Sequence, residues 1–176
     1  MEKYVLIRSD RKTISLSVSD DASVTVRAPR NASMHEIDSF VSAHTAWIHA
    51  KRELILRRIE FESYHFSSEE NVLRLRRLAE CVLREKTAYW AKVMGVRPTG
   101  VKITAAKKRF GSCSADNSIA YSFRLMAYDA HVVDYVVVHE LAHIRHKNHS
   151  PSFYSFVAQY IPDYKQCQRQ LRYPQL

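Results

Sequence analysis

The residues best suited to chemistry form the segment His139-Glu140-Leu141-Ala142-His143. On an α-helix, residues four apart project about 40° from each other and lie one turn apart, so both imidazoles can bind one metal ion. Glu140 lies beside them and can reach a water molecule on that ion. Zinc lowers the pKa of such a water to about 7, and a carboxylate can then take its proton. The segment therefore predicts a zinc-dependent hydrolase in which His139 and His143 bind Zn2+ and Glu140 is the general base toward a metal-bound water.

The residues before this segment indicate that its helix is central. Residues 132–138 read VVDYVVV, a strongly apolar run, and we predict a helix over residues 132–147. A buried helix seldom carries two histidines and a glutamate unless they are paired or bind a metal. This context favours the metal site over a chance arrangement.

A catalytic zinc ion needs a third protein ligand, and three residues compete for that role. His146 would lie on the metal-binding face if the helix continued, but about 10 Å along the axis from His139, too far for one tetrahedral ion without strain. Asp163 is the only acidic residue after Glu140. His149 is the remaining candidate.

His149 can reach the ion if the chain turns back after the helix. We expect the helix to end near Lys147 or Asn148, because asparagine tolerates the left-handed conformation of such a turn. Ser150-Pro151 supports an end there, since serine at the N-cap and proline at the first helical position favour a new helix. The sequence favours His149 and leaves His146 and Asp163 as alternatives.

The N-terminal residues predict a β-hairpin. Polar and apolar residues alternate over residues 12–18 and 24–26, and the aspartates at 20–21 favour a turn between them. Residues 4–7 suggest an edge strand. Pro29 ends the sheet segment, because proline cannot donate to a β-ladder.

Two long helices should follow the hairpin. Ser33 and Glu36 form a candidate capping box for a helix that runs to about Phe61. Residues 67–70 (SSEE) favour a break, and Gly95 favours the end of the second helix. The second helix carries an apolar stripe that we expect to be buried: Leu75, Leu78, Ala79, Val82, Leu83, Tyr89, Trp90 and Val93.

The C-terminal half mixes strands and helices. Residues 101–105 and 119–123 predict a pair of strands, and a helix that starts at Ser150-Pro151 should end near Tyr160. Together with residues 132–147, this pattern predicts an α+β fold. A small β-sheet and the HExxH helix follow an N-terminal hairpin and long helices.

Length and composition set broad limits. The 176 residues suit a single domain, which we divide into a hairpin and helix over residues 1–66 and a zinc-binding catalytic core over residues 67–176. The net charge of +9 and the pI of about 9.6 favour anionic or nucleic-acid partners, although solvated surface charge explains them equally well. The absence of a signal sequence and of a long apolar run favours the cytoplasm and no membrane partner. The oligomeric state stays open.

Several stretches together resemble one known family. Residues 109–114 (RFGSCS), residues 134–138 (DYVVV), residues 139–150 (HELAHIRHKNHS) and Phe153 are similar to the YgjP-like metal-dependent hydrolases, a family with a zincin-like metallopeptidase core. The resemblance implies zinc bound by His139, His143 and His149, with Glu140 catalytic. The chain departs from the family pattern at Phe110 and Tyr154, where tryptophan is common. The histidine spacing also resembles that of metzincins, but no methionine follows Met126, so a Met-turn is absent.

Residues near the motif are candidates for contacts with substrate or transition state. The RFGSCS segment is expected to line the cleft, where Arg109 could contact an anion or a developing oxyanion. Tyr121 and Tyr154 are weaker candidates. Cys113 has no adjacent base in sequence, which favours a structural thiol over a nucleophile.

Four functions fit this sequence. The first is a zinc metallopeptidase, with the strand around Tyr121 pairing with an extended peptide. The second is a nucleoside triphosphate (UTP) pyrophosphatase, since the YgjP-like family includes such members and arginines suit phosphates. The third is a DNA-associated protease that resembles the SprT and WLM groups. The fourth is a non-enzymatic binding module, against which the presence of Glu140 argues.

Overall fold

The computed structural model describes residues 2–174, which form two compact units, residues 2–63 and residues 64–174. Both units combine helices with a three-stranded sheet, as the α+β prediction expects. The assignment of the whole chain to one domain stays a prediction.

A three-stranded sheet opens the first unit. Its strands are β1 (Val5–Ser9), β2 (Ser15–Val18) and β3 (Val24–Pro29), in the order β1-β3-β2. Strands β2 and β3 are antiparallel and form the predicted hairpin, while β1 lies at the other edge, parallel to β3. The sheet prediction is confirmed, including the end of β3 at Pro29.

Two helices complete this unit where the sequence predicted one. Helix α1 (Met34–Ala43) begins with the predicted capping box, in which the Glu36 amide donates to Ser33 Oγ and the Ser33 amide donates to a Glu36 carboxylate oxygen. Helix α2 (Thr45–Phe66) follows after a break at His44, so the prediction of an unbroken helix to Phe61 is wrong. The Thr45 hydroxyl donates to the Ser42 carbonyl, and such local bonding competes with regular helix. The core of the unit is small: Val24, Val26, Ala28, Ile37, Val41 and Ile48.

Helix α3 (Glu69–Met94) is the longest element of the second unit. It begins at the N-cap Ser68 and ends at Gly95, whose φ of 63° is the left-handed conformation that glycine tolerates best. Its buried face is Leu75, Ala79, Leu83, Thr87, Ala91 and Met94. The predicted stripe was therefore partly wrong, because Leu78, Tyr89 and Val93 are exposed. Leu75, Leu83 and Met94 face the core beside the smaller Ala79, Thr87 and Ala91.

A second sheet follows α3. Its strands are β4 (Gly100–Thr104), β5 (Gly111–Cys113) and β6 (Ser118–Ser122), in the order β4-β6-β5. Strand β6 is parallel to β4 and antiparallel to β5. The sequence predicted β4 and β6 but not β5, because three residues without a β-branched side chain give little strand signal. Strand β6, which carries Tyr121, is central, so the proposal that it offers a free edge to substrate is wrong.

The remaining elements are helical. A short 3-10 helix (Phe123–Ala127) leads to α4 (Ala130–Ala142), α5 (Pro151–Ala158) and α6 (Tyr164–Arg172). Most of helix α4 is buried, and it packs against α3, α5, α6 and β5. It ends five residues before the predicted Lys147, and α6 was not predicted.

Polar contacts fix α4 between its neighbours. Asp134 accepts hydrogen bonds from Lys86 Nζ at 2.8 and 2.9 Å and from Trp90 Nε1 at 2.8 Å, which joins α4 to α3. At the start of α4, His131 Nε2 lies 2.9 Å from both carboxylate oxygens of Asp163, just before α6. Helix α4 is thereby held on two sides. Within residues 2–174, no helix has the length and apolarity that a membrane span requires.

Candidate metal centre

Three imidazoles converge where α4 ends and α5 begins. One ring nitrogen from each of His139, His143 and His149 lies within 4.8 Å of the other two. Nε2 of His149 is 3.1 Å from Nε2 of His139, and His143 has its ring centroid 4.7 Å from that of His149. His146 points elsewhere and packs on Phe156 at 5.5 Å between ring centroids. Asp163 bonds His131 instead. Of the three candidates for a third ligand, only His149 therefore lies beside His139 and His143.

The backbone after α4 brings His149 back toward His139 and His143, but by turns that begin earlier than predicted. The helix ends at Ala142, and the amides of Ile144, Arg145 and His146 bond back to the carbonyls of residues 141 and 142. Among residues 2–174, the non-glycine residues with positive φ are Ala22 and Asn117. The expectation of a left-handed Asn148 is therefore wrong, and tight turns directly after the helix make the reversal.

A single aromatic side chain supports all three imidazoles. Phe153 is 0% exposed, and its ring centroid lies 4.9, 4.5 and 4.9 Å from those of His139, His143 and His149. It belongs to the first turn of α5, which begins with Pro151 after the N-cap Ser150. Packing of α5 against α4 thus gathers the histidines.

Hydrogen bonds to the outer ring nitrogens orient two of the imidazoles. His143 Nδ1 lies 3.1 Å from the carbonyl oxygen of His146, and His139 Nδ1 lies 3.3 Å from the hydroxyl of Tyr135. Gln168 of α6 donates to that same hydroxyl at 3.0 Å. When Nδ1 of a histidine is hydrogen-bonded, Nε2 is available for a metal. Neither Tyr135 nor Gln168 was predicted from the sequence as a site residue, although Tyr135 precedes His139 by four residues and therefore shares a helix face with it.

These donors fit a zinc ion. Two nitrogens bound tetrahedrally to one zinc ion at about 2.0–2.1 Å are about 3.3–3.4 Å apart, close to the 3.1 Å between the Nε2 atoms of His139 and His149. Burial, and then the charges of His143 and His149, lower the pKa of His139 to about 3. The ring is therefore neutral near pH 7, as a metal ligand must be.

Glu140 is buried next to this cluster. Its side chain is 6% exposed, and burial raises its pKa to about 8, while the charge of Arg109 opposes part of that rise. A divalent cation would act in the same direction as Arg109. A pKa near the working pH is what a general base requires.

The backbone of β5 lies directly against this carboxylate. A Cβ atom on Gly111 would lie 2.5 Å from Oε1, 2.6 Å from Cγ and 2.7 Å from Cδ of Glu140. No side chain fits there without displacing Glu140. In the sequence, only the presence of a glycine at position 111 indicated this close approach.

A surface cavity of about 360 Å³ contains the cluster and is open to solvent. The RFGSCS segment contributes Arg109 and all of β5, and Lys147 adds a second cation. Lys147 Nζ donates to Asn117 Oδ1 at 2.6 Å. Burial raises the pKa of the Cys113 thiol, which keeps it neutral and suits a structural role better than a nucleophilic one. The cavity is lined by Arg109, Gly111, Ser112, Cys113, His139, Glu140, His143, Lys147 and His149.

The two tyrosine candidates occupy different places. Tyr121 is 0% exposed and has its hydroxyl 3.3 Å from that of Thr87, so it has no surface from which to touch a substrate. Tyr154 is half-buried and stacks on His149, with 6.0 Å between ring centroids, and on Tyr164 at 5.4 Å. Arg109 and Tyr154 thus lie beside the cluster, and Tyr121 lies in the core.

Comparisons with known proteins show which family the chain belongs to. The comparison with curated proteins finds no match. Among solved structures, the chain is similar to the metallopeptidase zymogen of Pyrococcus abyssi abylysin, with 20% identity and a TM-score of 0.47 over 51% of this chain and 90% of that one. It is also similar to the metallopeptidase zymogen of Methanocaldococcus jannaschii jannalysin, with 16% identity and a TM-score of 0.44 over 50% of this chain and 94% of that one. The family model of the YgjP-like metallopeptidase domain matches residues 12–75 and 71–173. The chain belongs to the YgjP-like metallopeptidase family.

Proposed function

We propose that this protein is a zinc-dependent metallopeptidase whose ion is held by His139, His143 and His149. The observation that carries the proposal is the convergence of the three imidazoles within 4.8 Å, in the same cavity as the buried carboxylate of Glu140. Membership of a metallopeptidase family implies a divalent metal. Three imidazole ligands suit zinc and leave its fourth position open for chemistry.

Glu140 supplies the acid–base chemistry. A bound zinc ion would polarise the scissile carbonyl and acidify a water molecule. Glu140 takes one proton from the attacking water, whose oxygen adds to the carbonyl carbon, and passes that proton to the amide nitrogen as the C–N bond breaks, so that the products are a carboxylic acid and a neutral amine. Its burial favours this role, because a carboxylate with few water contacts keeps a pKa close to neutrality.

Strand β5 is the element best placed to bind an extended peptide. It is an edge strand, and its three residues line the cavity beside His139 and Glu140. A peptide that adds to such an edge forms backbone hydrogen bonds regardless of its sequence. We therefore infer that the substrate is an unfolded or extended segment that lies along β5. Arg109 is the candidate for contact with a developing oxyanion.

A second candidate function is hydrolysis of a nucleoside triphosphate at the same site. The observation that favours it is the presence of Arg109 and Lys147 at the cavity, since both cations can pair with phosphate oxygens. The edge strand favours the peptidase, because a nucleotide makes no use of a β-ladder.

One experiment separates these functions. Zinc-loaded protein is given casein and, separately, nucleoside triphosphates, beside a Glu140→Gln variant. Cleavage of casein that is lost in the variant supports the peptidase, whereas release of pyrophosphate that is lost in the variant supports the alternative. Stimulation of proteolysis by DNA would instead indicate a DNA-associated protease.

Metal content tests the site itself. We expect one zinc ion per chain, lost in His149→Ala and retained in the matched control His146→Ala, because His146 packs on Phe156 away from the cluster. Wild-type protein that binds no zinc would overturn both candidate functions.

A further inference from the structure

Tyr135 connects the cluster to α6. It is 4% exposed and lies on α4 one turn before His139, with 5.7 Å between the two ring centroids. Its hydroxyl oxygen lies 3.3 Å from His139 Nδ1 and 3.0 Å from Gln168 Nε2. A buried hydroxyl of this kind normally has partners, and here both partners are side chains, one of them a candidate metal ligand.

The donors and acceptors fit a bound metal. The amide nitrogen of Gln168 can only donate, so the phenol oxygen accepts from it. When His139 binds a metal through Nε2, Nδ1 carries the ring proton and also donates to the phenol oxygen. That oxygen has two lone pairs, one for each donor. The ring of His139 is then fixed in the tautomer and orientation that ligation requires.

We propose that Tyr135 and Gln168 are positioning residues that set the metal affinity of the site through His139. The inference rests on the proposed function, since it concerns the same metal. Gln168 acts only through Tyr135, and α6 is held on α4 beside it by the contact between His131 and Asp163. Among the three candidate ligands, His143 also has a bonded Nδ1, but its partner is the backbone carbonyl of His146. Only one ligand therefore depends on a side-chain partner that substitution can remove.

The test measures metal binding and needs no substrate. Tyr135→Phe keeps the ring and removes the oxygen, and we expect the zinc dissociation constant to rise about 10- to 100-fold, the usual cost of losing such a partner. Gln168→Leu should raise it by about tenfold or less, because Tyr135 remains. The double variant should match Tyr135→Phe alone, since Gln168 has no effect without the hydroxyl.

A matched control separates positioning from packing. Tyr154→Phe makes the same change beside another ligand, because Tyr154 stacks on His149 and its hydroxyl has no hydrogen-bond partner among residues 2–174. It should leave the zinc dissociation constant unchanged. Cobalt is a second probe: the visible ligand-field bands of bound Co2+ should shift in Tyr135→Phe and stay as in wild type in Tyr154→Phe.

The outcomes distinguish this inference from the proposed function. Zinc affinities that are equal in wild type and Tyr135→Phe, with one ion bound to each, would overturn the positioning role and leave the metallopeptidase standing. A fall in affinity that is equally large in Tyr154→Phe would overturn it as well. A wild-type protein without metal affinity would overturn both.

Discussion

Replacing Gly111 with alanine perturbs the candidate base, Glu140, and substitutes no candidate metal ligand. The added Cβ would lie 2.5–2.7 Å from three atoms of the Glu140 side chain. Carbon atoms in good contact are about 3.5–4.0 Å apart, so Glu140 or β5 must move by about 1 Å. Glu140 is 6% exposed and has little room to retreat.

The size of the effect follows from that displacement. An error of about 1 Å in the position of a reacting group costs about 100-fold in rate. Overpacking of a filled site costs about 1–3 kcal/mol of stability. We expect kcat/KM of Gly111→Ala to fall about 100-fold on the peptide substrate that the casein screen identifies. Zinc affinity should stay within about twofold, because the three atoms nearest the new methyl group all belong to Glu140.

Gly100→Ala is the matched control on the same sheet. There the nearest atom to the new Cβ is Ser118 Oγ at 3.7 Å, an ordinary contact. It should keep wild-type kcat/KM and zinc affinity. Wild-type kcat/KM in Gly111→Ala, or an equal loss in Gly100→Ala, would refute the reasoning.

Three further predictions concern residues that pack around the site. Asp134→Ala should lower the free energy of unfolding in urea by about 1–3 kcal/mol, because Lys86 and Trp90 lose a half-buried acceptor; Glu80→Ala breaks an exposed pair and should cost under about 1 kcal/mol. Phe153→Ala should lower the free energy of unfolding by about 3–5 kcal/mol and weaken zinc binding, because Phe153 packs on His139. Phe156→Ala should also lower the free energy of unfolding but leave zinc affinity unchanged, because Phe156 packs on His146. Burial raises the pKa of Tyr121, so the unfolded chain releases that proton first, at about pH 10, and stability falls as the pH rises further. Urea titrations from about pH 9 to pH 11 should show a decline that is shallower in Tyr121→Phe, and an equal decline in both proteins would contradict this origin.

The sequence predicted the parts of the site that depend on local spacing. His139, Glu140 and His143 follow from helical geometry, and Ser150-Pro151 marked the start of α5 and hence the region of the reversal. The capping box at Ser33 was equally local. Metal binding by the three histidines stays a prediction, although the structure brings their rings together.

Features that depend on contacts between distant segments were missed. Strand β5 has three residues and forms only because β6 pairs with it. The partner of Tyr135 is Gln168, 33 residues later on a helix that the sequence did not predict. The end of α4 at Ala142 was misjudged, because helix propensity does not reveal where packing of α5 requires the chain to turn.

The shortness of β5 has a consequence for solubility. An edge strand with unpaired backbone groups can join the same edge of another copy, and proteins avoid this with short edges and nearby charges. Here the edge has three residues, and Arg109 and Lys147 line the cavity that it faces. Two copies brought edge to edge would oppose these cations to each other for the gain of very few hydrogen bonds. The short, charged edge that we propose as the binding site of an extended substrate thus also disfavours pairing between two copies of the chain.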